Sequence, residues 1–151
     1  MPAVGLGTFR ILEKEPIVKA ILEAGYRHID TAFVYENEHI VGEALKEVLA
    51  SGKVKREELF VVTKIWHKQY EDVEGAINEA LKKLQLDYVD MFLIHWPAGF
   101  FAEKKKPLHK LWADLEGLVD KGLTRSLGLS NFNVQLTCDL LTYARIKPVC
   151  N

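Results

Sequence analysis

Four ionisable side chains fall at or just beyond the ends of short apolar runs: Asp30 and Tyr35 in RHIDTAFVY, Lys64 in LFVVTKI and His95 in VDMFLIH. Each alone has an ordinary explanation, since a lone lysine at a strand end is usually a solvated charge and a lone histidine a satisfied structural group. Four from three consecutive runs make a stronger pattern. The chemistry such a set supports is proton transfer through a phenol. A free tyrosine titrates near pH 10, about three units too high to exchange protons readily at neutrality, unless a neighbouring cation stabilises its ionised form. Lys64 is the candidate cation, and Asp30 is the carboxylate that keeps it charged and in place. His95 is suited to steering a carbonyl oxygen by hydrogen bonding or to sharing the proton.

These side chains converge only if the runs are strands of one sheet that end on one side. Periodicity supports this. VGLGTF at 4–9 reads as a first strand, followed by a helix with Pro16 in its first turn, Gly25 at its exit, and Ile17, Val18, Ile21 and Ala24 inward. RHIDTA is the second strand, and a helix over 37–50 then buries Ile40, Val41, Ala44, Leu45, Val48 and Leu49. The third strand, LFVVTKI at 59–65, precedes a helix carrying Val73, Ala76, Ile77, Ala80, Leu81 and Leu84. VDMFLIH is the fourth strand, and a helix over 107–121, with Leu111, Leu115, Leu118 and Val119 inward, stops at Gly122. SLGLS at 126–130, helix NVQLTCDLLTYA and a sixth strand opening at KPVCN complete the pattern.

The sum is α/β with a parallel sheet, in βα units of roughly 30 residues each. No Pro/Gly/Ser linker interrupts it, so residues 1–151 are expected to form a single domain. On pattern alone a doubly wound sheet and an eight-stranded barrel both remain open. In a barrel, the strand ends all open on one face, where such folds hold their active sites. A doubly wound dinucleotide-binding sheet calls for a GxGxxG loop after its first strand; the run from Gly5 to Arg10 lacks the third glycine and reads as a tight rim turn.

The motifs GLGTF, GYRHIDTAFVYENEHIVGEAL, VVTKIW, LIHWP and GLSNF, in this order and at these spacings, resemble the aldo-keto reductases, NAD(P)H-dependent oxidoreductases built on the (β/α)8 TIM barrel. The resemblance runs over nearly the whole chain. It implies reduction of an aldehyde or ketone to an alcohol by hydride transfer from NADPH, with NADH not excluded. Tyr35 is then the general acid, supported by Lys64, Asp30 and His95. It further implies cofactor contacts from Gly7 and Thr8 beside the nicotinamide ring, from Asp30, and from Ser130 and Asn131 on the carboxamide. A small carbonyl substrate would meet Phe9, Trp66, His95 and Trp96. Phe9 stands where many members carry tryptophan, so their substrate profile does not transfer. Phe100 and Phe101 either extend an apolar wall or anchor a loop.

Composition narrows the partners. Twenty Lys and Arg against 21 Asp and Glu leave a formal charge of −1, which gives no pull toward nucleic acid or an anionic membrane. Apolar runs such as YVDMFLIHW fall short of the ~20 residues of a spanning helix. Two cysteines, Cys138 and Cys150, and no leader-like segment suggest a reducing, cytoplasmic setting. EKKK at 103–106 reads as a solvated loop. A metal-dependent barrel hydrolase, suggested by His28 and Asp30 on one strand face with His95 nearby, lacks further ligands because the next strand ends offer Lys64 and Ser130; no metal is expected.

A full (β/α)8 barrel takes about 250 residues, whereas this chain covers about five βα units and the start of a sixth strand. The expectation is that the remainder of the barrel or a second chain covers the open edges, and that the segment alone turns over little or no substrate. The alternative is a non-enzymatic binding or structural subunit on a truncated reductase fold, against which the intact quartet argues.

Overall fold

Five parallel strands form one sheet in the computed structural model, which describes residues 1–97 and 106–151. They are β1 (Leu6–Gly7), β2 (His28–Asp30), β3 (Phe60–Ile65), β4 (Met91–Ile94) and β5 (Leu127–Leu129), paired in sequence order β1-β2-β3-β4-β5. A doubly wound sheet reverses its strand order at a switch point, and this one never does. Continuous winding with a helix after every strand is the arrangement of a barrel wall. It settles the choice that periodicity left open.

The helices are α1 (Glu15–Leu22), α2 (Glu38–Ala50), α3 (Val73–Leu84), α4 (Leu108–Asp120) and α5 (Val134–Tyr143). Their ends follow local chemistry. Asp72 caps α3 by accepting from the Gly75 amide at 2.8 Å, and Asn133 caps α5 by accepting from the Leu136 amide at 2.9 Å. Gly25 and Gly122 take the left-handed conformation, φ 76° and 74°, that lets the chain turn out of α1 and α4 toward the next strand.

Strand alternation assigns each side chain to a face. On β3, Val61, Thr63 and Ile65 face the helices, while Val62 and Lys64 face inward, so one strand feeds both the main core and the site. The main core fills the space between sheet and helices, with Ile29, Leu45, Val61, Ile77, Phe92, Leu115 and Leu129 among its members. A smaller cluster of Val62, Met91 and Leu93, with Phe60 and Cys150 against it, lies on the other sheet face. At the opposite strand ends from the site, buried Asp90 accepts from Arg56 at 2.8 Å, Arg125 at 3.4 Å and the Val61 amide at 3.0 Å, locking β3 to β4 and β5.

Several local expectations shift. β1 contracts to two residues, and KPVCN forms no assigned strand, although Leu129 N–H donates to the Cys150 carbonyl at 3.0 Å and Val149 N–H to the Leu127 carbonyl at 2.9 Å, so the segment runs beside β5. Ala24 is exposed because α1 ends two residues before it. Val18, Ile40, Leu49 and Val119 are half-buried at the margin of the helical faces. Trp112, not among the inward positions read from periodicity, is fully buried and donates its indole N–H to the Ile146 carbonyl at 3.0 Å. Phe100, Phe101 and residues 103–105 of the lysine-rich run lie outside the described residues. Among the described residues no helix is long and apolar enough to cross a membrane.

Candidate active site

Lys64 is the centre of the site. It sits at the inward position near the end of β3 and is only 6% exposed, so its ammonium must find partners within the protein. It finds three: Asp30 Oδ1 at 2.6 Å, the Thr31 carbonyl at 2.9 Å and the Tyr35 hydroxyl at 3.3 Å. Three N–H donors meet three oxygens, which offsets the cost of burial and fixes the ammonium against the phenol. Asp30, at the end of β2, keeps about a third of its side chain in water (32%) and supplies the countercharge.

Tyr35 reaches this point through a 3-10 turn, Phe33–Tyr35, that leaves β2 at once. Tyr35 N–H donates to the Ala32 carbonyl at 3.0 Å, and Glu36, at φ 57°, swings the chain into α2. A non-glycine residue in this conformation costs of the order of 1 kcal/mol. The cost falls between the phenol and the helix behind it.

His95 follows β4 and is buried, with its ring edge-on to Tyr35 at 5.7 Å and to Trp66 at 5.2 Å. Burial, reinforced by the charge of Lys64 and only partly countered by Asp30, holds the imidazole down to about 4. The ring is therefore neutral at pH 7. Its Nδ1 is buried without a hydrogen-bond partner among the described residues.

Aromatic side chains ring the phenol. Phe9 packs on Tyr35 at 5.1 Å between centroids and is largely exposed, and Trp96, next to His95 in the chain, is also exposed. The Trp96 carbonyl is held by the hydroxyl of buried Tyr70 at 2.6 Å. Burial pushes the Tyr70 phenol up, and its hydroxyl is committed to this carbonyl.

The remaining expected positions flank this set. Thr8 is fully buried, with its amide (2.9 Å) and hydroxyl (3.1 Å) both donating to the Asp30 carbonyl, so it contributes rim geometry rather than a free hydroxyl. Gly7 faces open space: nothing lies within 4 Å of where a Cβ would stand. Asn131, at φ 61° just past β5, donates from Nδ2 to the His95 carbonyl at 2.8 Å and to Ser130 Oγ at 3.0 Å. The structure thus draws Asp30, Tyr35, Lys64, His95, Phe9 and Trp66 into one mouth, with Ser130 and Asn131 tied to it through the His95 backbone.

Sequence reasoning passed over three contributors. Buried Asn37 bridges the β1 loop to Thr31, Tyr70 anchors Trp96, and Glu38 accepts from Thr63 Oγ1 at 2.6 Å behind Lys64. Burial raises the Glu38 carboxyl, and its second oxygen lacks a partner among the described residues. Asparagine before a helix was a visible capping signal, but its side chain bonds Thr31, six residues back, and two carbonyls 26 and 29 residues away. His28, weighed as a metal ligand, turns from the site to Phe60, ring edge to ring at 5.4 Å, with Nδ1 3.3 Å from the Pro2 carbonyl. Among the described residues, no group of three or more His, Cys, Asp and Glu is placed to hold a metal.

Comparison with known proteins gives the family this chain is similar to over nearly its whole length. The family described as the Aldo/keto reductase family matches residues 4–151. Aldose reductase B of Dictyostelium discoideum is 41% identical over all of this chain and 56% of its own. The NADP-dependent D-sorbitol-6-phosphate dehydrogenase of Malus domestica is 43% identical over 98% of this chain and 54% of its own. Among solved structures, a Bombyx mori aldo-keto reductase in complex with NADP superposes with a TM-score of 0.92 at 40% identity, over 99% of this chain and 53% of that one. The aldose reductase of Schistosoma japonicum gives 0.87 at 39% identity, over 98% and 55%. The chain spans about half the length of the curated relatives it matches.

Proposed function

Because the chain belongs to the aldo/keto reductase family, we propose that its site reduces an aldehyde or ketone to the alcohol, with NADPH as reductant and Tyr35 as proton donor. Residues 1–151 act as a single partial-barrel domain in this reading. The observation that carries it is the reach of one buried ammonium, Lys64, to Asp30 at 2.6 Å and to the Tyr35 hydroxyl at 3.3 Å. When Tyr35 gives up its proton, negative charge develops beside a positive charge already fixed in place, which favours the transfer. Asp30 serves by holding Lys64 and not as an acid. Neutral His95 aligns the carbonyl oxygen through a hydrogen bond, and Phe9, Trp66 and Trp96 form the apolar wall around it. Tyr35 regains its proton from water.

The chain's residues suit a nicotinamide cofactor. A carboxamide presents one acceptor and two donors. The Ser130 hydroxyl, and the Asn131 Oδ1 left over once Nδ2 is engaged, form the complementary pair, and the open space at Gly7 admits a flat ring. When bound, NADPH supplies the hydride that reaches the carbonyl carbon. NADPH is preferred to NADH because the Malus domestica relative is named NADP-dependent and the Bombyx mori structure holds NADP. The edges of the five-stranded sheet are closed by further barrel strands or by a second chain, and the 151 residues alone turn over little substrate. The test is carbonyl-dependent NADPH oxidation by the polypeptide that carries this site and by its Tyr35→Phe variant; equal rates refute the assignment.

A further inference from the structure

Asn37 occupies the N-cap position of α2, where an asparagine side chain ordinarily accepts from a helix amide, yet it makes no such bond. Asn133, at the start of α5, does make it, to the Leu136 amide at 2.9 Å. The Asn37 carboxamide points elsewhere. Nδ2 donates to the Thr8 carbonyl at 2.6 Å and the Ile11 carbonyl at 3.0 Å, and Oδ1 accepts from the Thr31 hydroxyl at 3.2 Å. Two carbonyl oxygens can only accept, so the orientation of the amide is fixed by its partners.

Two of these partners lead to the site. Thr8 precedes Phe9, whose ring packs on Tyr35 at 5.1 Å. Thr31 offers its own carbonyl to the Lys64 ammonium at 2.9 Å. Asn37 also stands two residues after Tyr35, where the turn that presents the phenol enters α2. At 2% exposure it has no water to fall back on, so losing either half of its bonding leaves buried polar groups stranded.

We infer that Asn37 is a positioning residue for the proposed carbonyl reduction, its carboxamide tying the Phe9 loop to the Thr31 strand end so that Phe9, Tyr35 and Lys64 keep one geometry. The inference rests on the reading given under Proposed function. It separates cleanly from a capping role, because aspartate caps helices as well as asparagine does. A carboxylate at this position would instead face two carbonyl oxygens, and only its protonated form could donate to one of them.

The experiment compares Asn37→Asp with Asn133→Asp in the polypeptide carrying this site, using NADPH and 4-nitrobenzaldehyde, each rate taken relative to wild type at the same pH. The charged groups around the link are Asp30 and Lys64 across Thr31 and Glu38 next in the chain, all common to wild type and variants. Asn37→Asp is expected to lower kcat about 100-fold at about pH 8, with KM for the aldehyde within a few-fold. The loss should shrink as the pH falls to about 5, a range in which His95 stays neutral, while Asn133→Asp should match wild type throughout. Full kcat for Asn37→Asp at about pH 8, or equal damage from Asn133→Asp, overturns the inference. If Asn37→Asp does not fold at the higher pH, Thr31→Val removes only the hydroxyl end of the link. A kcat loss of about tenfold then supports the inference and an unchanged kcat overturns it.

If wild-type turnover proves independent of Tyr35, the functional reading fails by itself, and nuclear Overhauser contacts between the Phe9 and Tyr35 rings decide the inference in this chain. Their loss in Asn37→Asp at about pH 8 and return at about pH 5 support it. Their persistence at both overturns it.

Discussion

Replacing Lys64 with methionine removes the charge beside the phenol while filling much the same volume. The structure sets the size of the effect. At the observed 3.3 Å, a unit positive charge and a developing negative charge on the Tyr35 oxygen attract by about 5 kcal/mol at an effective dielectric of about 20. Part of that is recovered by water and by His95, so a loss of about 3–5 kcal/mol in transition-state stabilisation is expected, or about 10²–10⁴-fold in kcat. Folding should suffer less. Asp30 keeps about a third of its side chain in solvent and can be hydrated there, while the Thr31 carbonyl and the Tyr35 hydroxyl lose their bond to the ammonium. A stability cost of about 1–3 kcal/mol follows. The assay is steady-state carbonyl reduction at saturating NADPH, run alongside urea denaturation. A kcat within threefold of wild type in a folded Lys64→Met variant would show that the ammonium does not assist the phenol, and the electrostatic reasoning would fall.

Two further predictions concern His95 and the far end of the strands. His95 is held at about 4 when folded, below its ordinary value of 6.5, so the unfolded chain takes up the proton first. Stability is therefore expected to fall as the pH drops through that window, and His95→Gln should flatten the slope of unfolding free energy against pH; an unchanged slope contradicts a neutral, desolvated ring. Asp90→Ala strands Arg56 and leaves the Val61 amide without its acceptor, costing about 3–5 kcal/mol by chemical denaturation while the folded fraction keeps its wild-type KM. A cost below about 1 kcal/mol would mean that the cluster is a solvated surface pair and not a lock between strands.

The quartet was legible because its logic is local. A strand with period two places Lys64 on the opposite face from Thr63 and Ile65, and an apolar run that ends in an ionisable residue is visible without coordinates. The helix faces followed for the same reason: all six apolar positions named on α3 are buried. Barrel and doubly wound sheet share those local patterns and differ only in the order in which strands pair, so periodicity could not separate them. Asn37 and Tyr70 escaped because each acts through at least one partner 26 or more residues distant, which no spacing rule records. Glu38 drew no notice in the sequence, since an acidic residue in a helix's first turn is common, and the packing of α2 on β3 makes it a buried acid beneath Thr63. Ala24 failed the other way, where helical periodicity was extended up to Gly25 although α1 ends at Leu22.

The proposed role of Tyr35 is to deliver the proton from a site preset by Lys64. It is tested most directly by Tyr35→Phe, measured as single-turnover carbonyl reduction beside NADPH binding followed by fluorescence. A rate loss of about 10²–10⁴-fold is expected, with NADPH affinity essentially unchanged. A Tyr35→Phe variant that binds NADPH normally and reduces the carbonyl at the wild-type rate would contradict it.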